Sequence, residues 1–141
     1  MVDKLTKQKE DMQKFQETEM LKHLDLKYKN EIIRSMEWLG EKEDTIFIGQ
    51  AIKYSGNAMY NTTKTVSDDK KIEVPVLEDV QMGMSMGMAF EGFVPITCYP
   101  RFDFLICATN QLVNHLDKIS IISEGQFQPR VIIRTSIGSR I

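Results

Sequence analysis

Histidine and cysteine are scarce in this chain, with two of each. Cys98 and Cys107 fit neither a CxxC motif nor a zinc spacing, and His23 and His115 lie far apart, which argues against a metal centre. The thiols are expected to be reduced, which goes with a cytoplasmic location. Long apolar runs are missing too. The stretch up to Asn30 is charged throughout and holds nothing that reads as a signal peptide or a membrane span. Without secretion, the sequon at Asn61-Thr62-Thr63 carries no meaning. Excess charge of one sign is absent: 18 basic against 20 acidic residues leave a net charge of −2 and no basic footprint for nucleic acid. No GxGxxG or P-loop lysine motif follows a strand, so nucleotide binding lacks support. Ser136 and Ser139 have no histidine nearby in sequence, and a nucleophile triad cannot be argued from them.

What remains is an ordinary globular composition, 42% hydrophobic and 27% charged, in a chain of 141 residues that suits one domain. Residues 1–28 alternate charged and amide side chains with sparse apolar positions such as Met20 and Leu24, and are expected to form a solvated helical arm. From residue 29 to 141 the pattern changes. Ile32, Ile33, Met36 and Leu39 recur at helical intervals between Asn30 and Lys42. A short buried strand follows at Thr45–Ile48, closed by Gly49. The polar stretch from Lys53 to Lys70 reads as a long loop. Further strands are expected near Ile72–Val76, Phe93–Tyr99 and Val131–Ile133. Helices are expected from Glu78 to about Glu91 and from Phe104 to Ile119. Strands alternating with helices predict an α/β fold of three layers, α/β/α, with a mostly parallel sheet and helices on both faces.

The most informative stretch is Glu78–Pro95, EDVQMGMSMGMAFEGFVP. Glu78 and Asp79 suit the positive end of a helix macrodipole. Gly83 and Gly87 then weaken the helix, by roughly 1 kcal/mol each relative to alanine. A helix that tolerates this probes for a use of its bare backbone, since glycines four apart share one face and admit close approach. Methionines at 82, 84, 86 and 88 are expected to surround that face.

The order of residues resembles the pyrimidine-binding domain of thiamine-diphosphate enzymes. That family's helix reads glutamate, four residues, glycine, an apolar residue, two residues, glycine, an apolar residue. Here Glu78, Gly83, Met84, Gly87 and Met88 fill those places without a gap, and Gly92 and Pro95 follow as in the family. The closest likeness is to the beta subunit of the 2-oxo acid dehydrogenase decarboxylases, the pyruvate and branched-chain enzymes, from about Tyr28 onward.

The resemblance implies that Glu78 is catalytic. Its carboxyl would hydrogen-bond the pyrimidine N1′ of thiamine diphosphate and so make the cofactor's own 4′-nitrogen a base. That role needs a carboxyl group in a dry pocket, with Val76, Leu77 and the methionines expected to desolvate it. On residue type alone Glu78 reads as a complement to the helix N-terminus; the glycine pattern is what turns the reading to catalysis. Phe104 falls where an aromatic residue packs on the pyrimidine ring, although core packing would look the same in sequence. Pro100 stands where relatives often carry methionine, and Gln50 where they usually carry an acidic residue beside the cofactor. Gly83 and Gly87 would meet the copy of their helix in a second subunit, giving a homodimer; packing on this domain's own sheet is the alternative. Gln111 and Asn114 match family positions and are expected to be structural, with His115 at the surface or an interface. The diphosphate and its Mg²⁺ would be held by an alpha-type partner chain. The family continues past the place of Ile141 with more of this domain and a further one, so a domain truncated at its C-terminal end is expected. A transketolase-like or deoxyxylulose-phosphate-synthase-like split enzyme, or a silent assembly module of the same fold, fits the same residues.

Overall fold

Four short runs of branched and aromatic residues build a single sheet, because on a parallel strand buried on both faces nearly every position can be apolar. The protein is described here by a computed structural model over residues 2–137; Ser139 lies outside the described residues. The strands are β1 (Thr45–Gly49), β2 (Lys71–Glu73), β3 (Val94–Tyr99) and β4 (Ile132–Thr135). They lie in the order β2-β1-β3-β4, and every pairing is parallel, with Phe47 opposite Ile96 and Ile96 opposite Ile132. The expected three-layer architecture is the one observed.

Successive side chains on a strand point to opposite faces, and the two cores follow that alternation. On one face Phe47, Ile96 and Cys98 pack with Met36 of helix α1 (Val2–Gly40) and Met59 of helix α2 (Ala58–Thr63). On the other, Tyr99 packs with Met82 of helix α3 (Glu78–Phe90) and with Ala108, with Phe104, Leu112 and Ile133 half-buried beside them. Strands β3 and β4 therefore serve both helical layers at once.

Three elements depart from the sequence expectation. The arm and the helix after it are one uninterrupted helix, α1, because no glycine or proline interrupts the run before Gly40. Within α1, Met20, Leu24 and Tyr28 are exposed and packing on the core comes from Ile32, Met36 and Leu39. The long loop is partly ordered. Asn57 caps α2 by accepting from the Tyr60 N–H at 2.9 Å, and a 3₁₀ turn forms over Asp68–Lys70. The Lys70 ammonium then donates to the carbonyl of Lys42, and to those of Glu43 and Thr45 at 3.3 and 3.2 Å, binding the exit of α1 to this turn. Finally, the helix expected over Phe104–Ile119 is segmented into α4 (Phe102–Cys107), a π-helical turn at Gln111–Leu116 and α5 (Ile119–Ile122). The Asp117 N–H reaches back five residues to the Leu112 carbonyl at 3.0 Å.

No helix among the described residues is long and apolar enough to cross a membrane. Both cysteines are free, Cys98 buried and Cys107 exposed.

Candidate functional site

A parallel sheet leaves a crevice beyond the carboxyl ends of its strands, at the point where the strand order reverses. Here that point lies between β1 and β3, since β1 leads to β2 on one side and the chain then crosses to β3 on the other. The residues singled out from the sequence collect at this end of the sheet. Gln50 directly follows β1, Glu78 opens α3, Pro100 directly follows β3 and Phe104 lies in the first turn of α4.

Glu78 is buried, 9% exposed, and its carboxylate oxygen Oε1 accepts a hydrogen bond from Nε2 of the buried Gln50 at 3.3 Å. That distance sits just beyond the usual range for N–H···O bonds, so the amide orients the carboxyl more than it neutralises it. The Tyr99 hydroxyl donates to Glu78's backbone carbonyl at 3.1 Å, fixing the first turn of α3 from below. Burial pushes the Tyr99 hydroxyl up to about 12, and the neighbouring charges of Glu78 and Asp79 act in the same direction. One turn further along α3, Gln81 donates from Nε2 to the Thr97 hydroxyl at 2.8 Å and to the Cys98 carbonyl at 3.1 Å. Glu78, Gln81, Met82 and Ser85 form the buried stripe of α3, spaced as one helical face.

The desolvation of Glu78 does not come from where the sequence suggested. Val76 and Leu77 are 67% and 52% exposed, and Met82 turns into the core while Met84 faces solvent. The helix starts directly after Leu77, which rotates those side chains outward and leaves Gln50 and the Tyr99 layer to cover the carboxyl.

Gly83 and Gly87 lie on the opposite face of α3. A methyl group built on either would meet nothing within 4 Å, so packing on this domain's own sheet does not account for them. Exposed Val80 and Met84 flank them. Phe104 is half-buried against the Tyr99 cluster, and the Arg101 guanidinium stands 4.9 Å from its ring centroid, covering one ring face. Gln111 donates to the Asp79 carboxylate at 3.3 Å, tying the π-helical turn to the start of α3, and Asn114 donates to the side chain of Asn110 at 3.0 Å. His115 is exposed.

Sequence reading passed over Glu73. Its carboxylate receives three consecutive backbone N–H groups, from Ala51 at 2.5 Å and from Ile52 and Lys53 at 2.9 Å each. An acidic residue closing a strand, just before the proline-containing turn into a glycine helix, was the available signal. A cavity of about 710 Å³ lies elsewhere, between α1, α2 and β4, with Lys29, Asn61 and Arg134 in its walls. Among the described residues no carboxylate lines it, and Gln50, Glu78 and Phe104 are not part of it. Among the described residues no cluster of three or more metal-ligating side chains occurs.

The chain is 28% identical over 102 residues to the pyruvate dehydrogenase E1 component subunit beta of Cyanidium caldarium. Over 99 residues it is 30% identical to the same subunit of Gracilaria tenuistipitata var. liui. A chloroplastic subunit beta-3 of Oryza sativa subsp. japonica is 28% identical over 103 residues. The chain is thus similar to beta subunits of this kind over about 70% of its length. No protein-family model matches it. The alignments cover 70% and 67% of the chain but only 31% and 30% of the first two relatives, so the chain spans about a third of the length of the beta subunits it matches. At the head of its glycine helix this chain carries a carboxyl, Glu78, with an amide, Gln50, as that carboxyl's neighbour.

Proposed function

We propose that this chain is the pyrimidine-binding half of a thiamine-diphosphate-dependent 2-oxo acid dehydrogenase or decarboxylase, acting on pyruvate or a related 2-oxo acid together with an alpha-type partner chain. The observation that carries the reading is the buried Glu78 carboxyl, oriented by Gln50 at the carboxyl end of a parallel sheet. Its residues fit the pyrimidine end of the cofactor. Glu78 would hold the pyrimidine N1′ and share a proton with it, Phe104 would supply an aromatic wall, and Gln50 and Pro100 would border the ring. When bound, thiamine diphosphate supplies the nucleophilic carbon that attacks the 2-oxo group. This chain's part is to hold a proton at a Glu78 oxygen, keep that oxygen aimed and exclude water around it.

The diphosphate end of the cofactor and its Mg²⁺ are assigned to the partner chain. By itself the chain is catalytically silent. The glycine face of α3 is assigned to a second copy, since Gly83 and Gly87 leave open backbone between exposed Val80 and Met84. Free Cys98 and Cys107 fit the cytoplasmic setting that forms part of this proposal.

Co-expression with an alpha-type chain tests the reading. The complex is expected to decarboxylate pyruvate only when thiamine diphosphate and Mg²⁺ are added, and Glu78→Gln is expected to lower kcat by about 100-fold or more. A complex whose thiamine-dependent turnover survives Glu78→Gln unchanged would remove Glu78 from the mechanism.

A further inference from the structure

We propose that Glu73 is a positioning residue: its carboxylate clasps the loop after β1 and thereby sets the aim of Gln50 on Glu78. The inference rests on the reading of Glu78 as the working carboxyl, and extends it to a residue that touches neither cofactor nor substrate in that scheme.

β1 ends at Gly49, where an added methyl group would come within 2.8 Å of the Cys98 Cβ and closer still to its carbonyl oxygen. The chain must therefore leave the sheet in close contact with β3. It then turns through Ala51 at φ 58°, a left-handed conformation that a residue with a Cβ adopts only when its surroundings enforce it. Consecutive N–H groups pointing inward around such a residue form an anion-binding concavity. Glu73 fills it from the end of the neighbouring strand β2, with N–H···O distances of 2.5, 2.9 and 2.9 Å at Ala51, Ile52 and Lys53. Hydrogen bonds to an ionised acceptor are about twice as strong as neutral ones, so three on one carboxylate dominate this turn. On its far side the Glu73 anchor is fixed by the ladder, in which Gly49 pairs with Glu73 and the Val74 N–H donates to the Gly49 carbonyl at 3.0 Å.

Gln50 lies between these two constraints, Gly49 before it and Ala51 after it. Its backbone has no freedom of its own, and its amide reaches Glu78 Oε1 at 3.3 Å. Exchanging the Glu73 carboxylate for a neutral group loosens the N–H clasp, and a slight rotation at residue 50 breaks a contact that is already long. The charge on Glu73 thus acts on Glu78 through one side chain.

The test is NMR of the whole chain at neutral pH, without cofactor, following the Gln50 side-chain amide, the Glu78 carboxyl carbon and the 51–53 backbone amides. Glu73→Gln is expected to shift the three backbone amides together, to shift the Gln50 side-chain amide and the Glu78 carboxyl carbon with them, and to speed exchange of the Gln50 side-chain amide with solvent several-fold. Gln50→Ala is expected to shift the Glu78 carboxyl carbon while the 51–53 amides stay in place. Should Glu73→Gln fail to fold, Glu73→Asp, one methylene shorter with the charge retained, is expected to give the same changes at smaller amplitude. The proposal is overturned if a folded Glu73 variant shifts the 51–53 amides and leaves the Gln50 side-chain amide where it was. Because no cofactor is present, this outcome is separate from that of the decarboxylation assay with Glu78→Gln.

Discussion

Single side chains divide here into those that meet solvent and those the fold has made inert. Burial pushes the Cys98 thiol up to about 11, whereas Cys107 is exposed. Iodoacetamide at pH 8 should therefore give one adduct, at Cys107, by mass spectrometry, with Cys98 reacting only after denaturation. Tyr99 gives a pH dependence of defined sign. Its hydroxyl titrates near 12 in the folded protein against 10.0 ordinarily, so the folded state holds the proton more tightly. The contribution is fully present below pH 10 and is lost as the pH rises toward 12. Urea midpoints should fall between pH 9.5 and 11.5, and Tyr99→Phe should flatten that fall. Glycines also separate by position. Gly49→Ala presses a methyl group into Cys98 and should cost about 3 kcal/mol or prevent folding. Gly83→Ala meets open space and should stabilise the isolated chain by roughly 0.5–1 kcal/mol.

At the scale of elements, the exit of α1 depends on a cation. The Lys70 ammonium gathers carbonyls from Lys42, Glu43 and Thr45, joining helix, strand and the 3₁₀ turn. Lys70→Met should lower stability by about 1.5 kcal/mol, read as a reduced urea midpoint with unchanged slope. This contact also marks what could be foreseen. Three of the strands and the glycine helix are legible within a residue or two, because branched runs and the Glu-Gly-Gly spacing are local properties, whereas β2 ends at Glu73, three residues short of the expected Val76. Lys70's role is not legible, since its partners lie more than twenty residues away and only the fold brings them near. The π-helical turn was missed for a related reason. Leu112 and Leu116 keep a helical rhythm in sequence, but registering both against Met82 and Tyr99 requires an extra residue in the turn. Apolar residues just before a helix are expected to face inward, but the start of α3 rotates Val76 and Leu77 out.

For the whole molecule, the candidate site is a property of topology. Parallel strands in the order β2-β1-β3-β4 bring the loops after β1 and β3 and the head of α3 to one edge. Gln50 and Glu78 were each marked by position in a family-like pattern, yet their hydrogen bond links residues 28 apart and had no trace in the sequence. The open face of α3 extends the account to assembly. Gly83→Leu should fill the bare backbone that a second copy would approach, and sedimentation should show dimer lost while the monomer stays folded. The proposed catalysis, however, turns on Glu78. The most direct measurement is exchange of the C2 proton of thiamine diphosphate for deuterium, in the complex of this chain with the proposed alpha-type partner, by acid quench and NMR. The account predicts that Glu78→Gln slows that exchange by about 100-fold or more while the complex stays assembled. Exchange at the unaltered rate in the Glu78→Gln complex would contradict it.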